Sequence, residues 1–255
     1  MGTETIFAFT SYGNDSIALI QHLHETRKGA TVYTVYSDTG WAAPEWIARV
    51  ERAEELARSY SFEPVRIVSE GFVPLAIRKK AFPRNGMQFC TQELKILPAQ
   101  RWLDSVDPDR EGTCAVGVRR EESRARALWP EWTEESDKHG SRPLWAPLVR
   151  VTTEQRDALI RRAGLEPLPH RSRECSPCIN SNRADLRELS DERVEQIAAL
   201  EAQMGWTSEG KPRTLFRPYR HQGAVGIREV VRWAHSERGA YDPDTSGCDS
   251  GFCGG

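Results

Sequence analysis

The sequence predicts an α/β protein with a doubly wound, mainly parallel sheet, followed by a C-terminal helical extension and a mobile tail. Three observations lead there. The apolar run from Ile6 to Phe9 ends in small polar residues and passes into a helix-like spacing of Ile17, Leu19, Ile20 and Leu23. Strand-like and helix-like stretches then alternate as far as Ser69, the pattern of right-handed βαβ crossovers. Polar residues also gather at the carboxyl ends of the first two strands, where open parallel sheets bind ligands.

Each element follows from its residues. Ala30 to Tyr36 is rich in β-branched and aromatic side chains and reads as a second strand, ending in Ser37-Asp38-Thr39-Gly40. Pro44 opens an amphipathic helix that runs to Tyr60 on Trp46, Ile47, Val50, Ala53, Leu56 and Ala57. Pro64 to Ser69 is a third strand. Gly71 to Gly86 reads as irregular, with Pro74, Pro83 and the basic run Arg78-Lys79-Lys80. Phe89-Cys90-Thr91 leads through Leu94-Lys95 and Pro98 into a helix carrying Trp102 and Leu103. Thr113 to Val118 is a further strand, and the tryptophan-bearing polar stretch from Trp129 to Arg142 reads as an ordered loop or flap. Thr152 and Gln155 have capping-box spacing, for a helix that stops at Gly164. Pro167 to Ser176 is a loop with His170, Arg171 and Arg173. Two more helices, near Asp191 to Met204 and Ala224 to Glu237, flank a loop with Arg213, Arg217 and Arg220. This divides the chain into a nucleotide-binding α/β domain (1–165), a CxxC-containing helical region (166–240) and a flexible tail (241–255).

A chain of 255 residues can bury a sizeable core. A net charge of −2 demands neither nucleic acid nor an acidic membrane, although 35 Lys and Arg residues leave room for a local basic face. No apolar run approaches the ~20 residues of a membrane span. The N-terminus goes straight into strand-like sequence without a signal peptide, so a soluble cytoplasmic protein is expected. In that compartment the six cysteines would not form a disulfide framework.

The turn Ser11-Tyr12-Gly13-Asn14-Asp15-Ser16 joins the first strand to the first helix. Backbone N–H groups at such a helix start suit a phosphate or pyrophosphate; the plainer reading is a helix capped by Asn14 or Ser11 with no ligand. The turn lacks the lysine of a P-loop and is not a GxGxxG fingerprint. It resembles the S-x-G-x-D-S loop of the PP-loop ATP pyrophosphatases, the adenine nucleotide alpha-hydrolase-like superfamily. Further segments follow in a fixed order: Asp38-Thr39-Gly40; Cys90-Thr91 with Leu94-Lys95 and Pro98; Gly117-Val118-Arg119-Arg120 with Glu122-Ser123 and Arg126; Pro147-Leu148; Thr153-Glu154; and Cys175-Ser176-Pro177-Cys178. Together, over residues 5 to 185, they resemble the phosphoadenosine phosphosulfate reductase family within that superfamily.

The resemblance implies an adenine nucleotide, ATP or a relative, with Mg²⁺. Its phosphates would lie on Ser11, Tyr12, Gly13, Asn14, Asp15 and Ser16, and its adenosine near Asp38, Thr39 and Gly40. Lys95 and Arg126 would join the binding set, and Asp15, Ser16, Arg119 and Arg120 would carry catalysis. Guanidinium forks pair well with phosphate oxygens; the bland reading of Arg119 to Arg126 is a salt-bridged, solvated helix start.

Cys175 and Cys178 form a CxxC, for which zinc, iron–sulfur and a redox dithiol are the open readings. The resemblance adds Cys90 and implies a [4Fe–4S] cluster on Cys90, Cys175 and Cys178. Cluster-bearing reductases have an adjacent cysteine pair where Cys90 stands alone. Three ligands and an open iron are similar to the cluster-dependent, ATP-using thiolases. Cys114, in a predicted strand, is a buried small hydrophobe. The reductases carry their nucleophile in a Glu-Cys-Gly-Leu-His tail; here the tail reads Gly251-Phe252-Cys253-Gly254-Gly255, and Cys248 and Cys253 are open to reactive, metal-ligating or inert roles.

Two enzyme readings follow. In the first, the protein adenylates an acceptor oxygen, on a nucleic acid, and sulfur then displaces AMP, as in DNA phosphorothioation or tRNA thiolation; a cysteine desulfurase is the matching sulfur donor, and a homodimer is compatible. In the second, Cys253 or Cys248 attacks the sulfur of an adenylyl sulfate. A non-catalytic nucleotide-binding module is the third class.

Overall fold

The computed structural model describes residues 4–217 and 223–237. Arg220, Cys248, Cys253 and the tail expected to be mobile lie outside the described residues.

The element order is β1 (Thr5–Thr10), α1 (Asn14–Thr26), β2 (Thr31–Asp38), α2 (Trp46–Ser59), β3 (Glu63–Val68), α3 (Phe72–Lys79), α4 (Phe89–Thr91), a π segment (Gln92–Ile96), α5 (Leu97–Val106), β4 (Thr113–Val116), β5 (Trp132–Ser136), β6 (Arg142–Trp145), α6 (Thr153–Arg162), α7 (Arg183–Arg187), α8 (Asp191–Met204) and α9 (Ile227–His235). One six-stranded sheet has the order β3-β2-β1-β4-β6-β5. All its pairs are parallel except β5–β6, which makes β5 an antiparallel edge. This is the expected doubly wound α/β fold.

β1 is buried on both faces, and its side chains alternate between two layers. Ile6 and Ala8 face a core shared with Ile17, Ile20 and Leu23 of α1, Trp46 and Val50 of α2, and Ile160 of α6. Phe7 and Phe9 face the other core, with Ala99 and Leu103 of α5 and Cys114 and Val116 of β4. Cys114 is fully buried, and burial pushes its thiol pKa up. A third cluster joins Ile197 and Val230 of the C-terminal helices to Trp41, Phe72, Leu75 and Leu94.

Two stretches differ from the sequence reading. Residues 72–79, read as irregular because of Pro74, form α3; the proline sits in the first turn, where its missing N–H has no helical partner to lose. The stretch read as a flap contains β5, a polar strand on the sheet edge with a register shift between Thr133 and Ser136. The capping box at Thr152 and Gln155 is formed at the head of α6. Among the described residues no helix is long and apolar enough to cross a membrane.

Candidate functional site

The strand order reverses direction at β1. The chain leaves β1 towards β2 on one side and returns to β4 on the other, so the crevice at the carboxyl ends of β1 and β4 is the topological switch point, where open α/β sheets bind ligands. The turn from Ser11 to Ser16 occupies it. The Ser11 N–H donates to Ser16 Oγ at 3.0 Å, the two hydroxyls lie 3.3 Å apart, and the Gly13 N–H donates to Ser11 Oγ at 3.3 Å. Tyr12 takes a left-handed φ of 57°, which costs a non-glycine residue roughly 1 kcal/mol or more. Its ring is fully buried, with its hydroxyl 3.3 Å from Thr34 Oγ1 and its phenol pKa pushed up to about 12 by burial. Tyr12 therefore shapes the turn from the core side. Gly13 is the N-cap of α1 and has no side chain to satisfy the first-turn N–H groups. Gly117, just past the end of β4, lets the first turn of α1 approach: a Cβ there would sit 2.7 Å from the Asp15 carbonyl oxygen.

The turn is held and covered by other segments. From α2, Trp46 Nε1 donates to the Ser11 carbonyl and Arg49 Nε to the Tyr12 carbonyl, each at 3.2 Å. Asn14 makes a two-point contact with the backbone of Leu168, donating from Nδ2 to the carbonyl at 2.9 Å and accepting the N–H at 2.8 Å. A Cβ on Gly13 would lie 3.1 Å from the Ser172 Cβ. Ser11, Asp15 and Ser16 are accordingly buried.

The arginines are committed within the protein. Arg119 Nε donates to Asp15 Oδ1 at 2.5 Å and its Nη1 to Glu121 Oε2 at 3.1 Å. The Thr153 hydroxyl and N–H also bind Glu121 and hold its carboxyl below the ordinary range, with Arg119 adding to the effect. This chain of contacts ties the turn to the head of α6. Arg120 directs Nε and Nη2 at the Trp129 carbonyl, at 3.0 and 2.8 Å. Arg126 is buried and paired with Glu122.

The remaining expected residues meet around the CxxC. Asp38 Oδ1 accepts the Gly40 N–H at 2.9 Å, turning the chain at the end of β2, and Thr39 Oγ1 lies 3.8 Å from Cys175 Sγ. The π segment presents Lys95 inward, where Nζ donates to Glu174 Oε1 at 2.6 Å with both side chains buried. Burial, with the Glu174 carboxylate next in weight, pushes the Tyr36 phenol up. Thr39, Cys90, Lys95, Cys175 and Cys178 line one cavity. A larger cleft shares Cys175 and Cys178 and adds Arg171, Arg173 and Arg193. Three soft sulfur donors around one cavity suit iron–sulfur or zinc by ligand type. Among the described residues, no group of three or more His, Cys, Asp or Glu is arranged to hold a metal ion.

Leu168, Ser172 and Glu174 escaped the sequence reading. Only Glu174 carried a signal, an acidic residue set between Arg173 and Cys175.

Residues 5–176 match the phosphoadenosine phosphosulfate reductase domain. An uncharacterized 37.8 kDa protein in the gpa 5′ region of Escherichia phage 186 is 31% identical over 163 residues, which is 59% of this chain and 46% of that protein. The chain thus spans less than half the length of the curated relative it matches. Among solved structures, a phosphoadenylyl-sulfate reductase from Candida auris in complex with phosphate has a TM-score of 0.46 at 16% identity, covering 66% of this chain and 76% of its own. An NMN synthetase from Francisella tularensis has 0.48 at 11%, covering 93% and 87%. A U34-tRNA thiolase from Methanococcus maripaludis, with its [4Fe–4S] cluster, has 0.45 at 13%, covering 93% and 75%.

Proposed function

The chain belongs to the phosphoadenosine phosphosulfate reductase domain family over residues 5–176, and from that premise we propose that it is an ATP pyrophosphatase-type enzyme that activates a nucleic-acid oxygen for replacement by sulfur. The observation that carries this reading is the Ser11–Ser16 turn at the β1/β4 switch point, with α1 uncapped by any Gly13 side chain. N–H groups at that helix start, with the Ser11 and Ser16 hydroxyls, are the donors for a triphosphate. An acceptor oxygen attacks the α-phosphorus, the bond from that phosphorus to the bridging oxygen breaks, and pyrophosphate leaves. A sulfur nucleophile then displaces AMP from the adenylated acceptor. Positioned donors and positive charge do most of the work in such a displacement. Asp15, whose Oδ1 accepts from Arg119, would orient Mg²⁺ or the loop itself.

By ligand type Cys90, Cys175 and Cys178 are the residues that would hold an iron–sulfur cluster, although they are not drawn together as a metal site here, and such a cluster would supply sulfur-transfer chemistry. Lys95 and Glu174 set the polarity of the same cavity. The isolated Cys90 and the Asn14-Asp15-Ser16 loop favour this reading over sulfonucleotide reduction. The family match favours the second reading, in which Cys253 or Cys248 attacks an adenylyl sulfate.

One experiment separates the two. The full chain and a chain ending at Ser246 are assayed for AMP and pyrophosphate from ATP, and for sulfite from adenylyl sulfates. The expected result is ATP turnover in both forms and no sulfite. Sulfite release that disappears in a Cys253→Ser variant would overturn the reading.

A further inference from the structure

The segment between α6 and the CxxC lies across the phosphate turn as a strap. Its first fastening is the Asn14 amide on both backbone groups of Leu168. Its middle rests Ser172 against Gly13. Its far end is sewn to the β2–α2 connection, where the Ala43 N–H donates to the Arg173 carbonyl at 3.0 Å and the Ser176 N–H to the Trp41 carbonyl at 2.9 Å. Between these points Glu174 reaches Lys95 and Cys175 enters the cysteine cavity.

Two consequences follow from this path. Ser11, Asp15 and Ser16 are each under 5% exposed, and the strap, with Ser172 against Gly13, is part of what covers the start of α1. The fastening at Leu168 also differs in kind from that at Arg173 and Ser176: beside the packing of the Leu168 side chain on the core, its hydrogen bonds depend on one side chain, whereas the far end is held backbone to backbone. The near end is therefore the one that can release, and its release pivots the strap about Glu174 and Cys175.

On the premise of the nucleotide-binding reading above, we infer that Asn14 is a positioning residue rather than a phosphate ligand: it latches the strap shut, so that admission of the nucleotide and rearrangement of the cysteine cavity are one movement. The Asn14 amide spends one of its two N–H donors and one acceptor site on the backbone of Leu168. A bound triphosphate must displace those contacts, so part of its binding energy is spent opening the latch, and the apparent affinity is lowered by the closed fraction.

The test uses the full chain, with α,β-methylene-ATP and Mg²⁺ as the probe. Nucleotide affinity is measured by calorimetry, and strap opening by hydrogen–deuterium exchange of peptides covering residues 166–178. In the parent, the nucleotide is expected to speed exchange in those peptides. In Asn14→Ala, exchange is expected to be about tenfold faster without nucleotide and to gain nothing on adding it, while β1 and α6 exchange as in the parent. The variant is also expected to bind the nucleotide about tenfold more tightly, the size of two modest hydrogen bonds no longer broken. Asn14→Asp keeps the acceptor for the Leu168 N–H and loses the donor, so it is expected to fall between the two and serves if Asn14→Ala does not fold. Weaker binding with unchanged exchange would make Asn14 a direct phosphate ligand and overturn the latch. A parent that binds no nucleotide would overturn the enzyme reading and the gate with it; exchange unchanged in both nucleotide-free variants would overturn the latch alone.

Discussion

Arg119 and Asp15 form a buried ion pair beneath the Ser11–Ser16 turn, Nε to Oδ1 at 2.5 Å, with both side chains 4% exposed. The pair joins the end of β4 to the first turn of α1, across the switch point of the sheet. Removing one member leaves the other charged and dry. Arg119→Ala is expected to cost about 3–5 kcal/mol of stability, and the Asp15→Ala, Arg119→Ala double variant less than the sum of the singles. Urea unfolding measures both; a cost for Arg119→Ala below about 1 kcal/mol would mean that water reaches the pair.

Ser16 closes the turn by accepting the Ser11 N–H, and its hydroxyl is a candidate phosphate donor. Ser16→Ala should lower stability by only about 1 kcal/mol and AMP formation from ATP by about 100-fold or more. Asp15→Ala should abolish turnover. Unchanged AMP formation in either variant removes the turn from the catalytic machinery.

Gly117 has no room for a side chain, because the atom a Cβ would meet at 2.7 Å is the Asp15 backbone carbonyl. Gly117→Ala is expected to cost about 1–3 kcal/mol through a forced backbone shift, read as a lowered thermal midpoint. Its nucleotide affinity should fall as well, since the shift displaces the turn.

Protein purified without oxygen is expected to be brown, with a broad band near ~400 nm from thiolate-to-iron charge transfer. Cys90→Ala and Cys175→Ala should each remove the band. A colourless protein with stoichiometric zinc would keep the ligand set and discard the iron.

His139 gives the stability a defined acid limb. It is buried against Phe9, with Nδ1 2.8 Å from Ser136 Oγ, and burial lowers its pKa to about 3 from 6.5. Between those values the unfolded chain holds a proton that the folded chain does not, so stability rises with pH across that window and falls as pH drops from 6.5 towards 3. Glu25, held to about 2 by Arg162, adds a loss of the same sign as pH falls from 4.5. Urea unfolding at pH 7 and pH 5 should show the decline, and His139→Gln should flatten it; equal slopes in the two proteins would remove His139 as its cause.

Much of this was legible in the sequence, and the exceptions have physical causes. The β1 and β2 runs, the Thr152–Gln155 capping box and the helix Asp191–Met204 carry their signals locally, in side-chain type and spacing. α3 was hidden by Pro74 and β5 by its polar composition, since β5 is exposed or only part-buried along its length and carries no apolar alternation. Ser11 to Ser16, Lys95, Cys175 and Cys178 stood out by motif. The strap did not: its fastening joins Asn14 to a backbone 154 residues away, and a backbone N–H and C=O leave no trace in residue type.

That separation also bears on how the protein folds. β1 pairs with β4 more than a hundred residues later, and the turn that follows β1 acquires its cover only when Leu168 arrives. Such non-local closure slows folding, because the entropy of a long loop is lost before its contacts form. During synthesis, the first helix start to leave the ribosome therefore waits uncovered until most of the chain has followed. A nascent chain stopped before residue 168 would present that helix start bare, without the Asn14–Leu168 contacts that cover it in the finished fold.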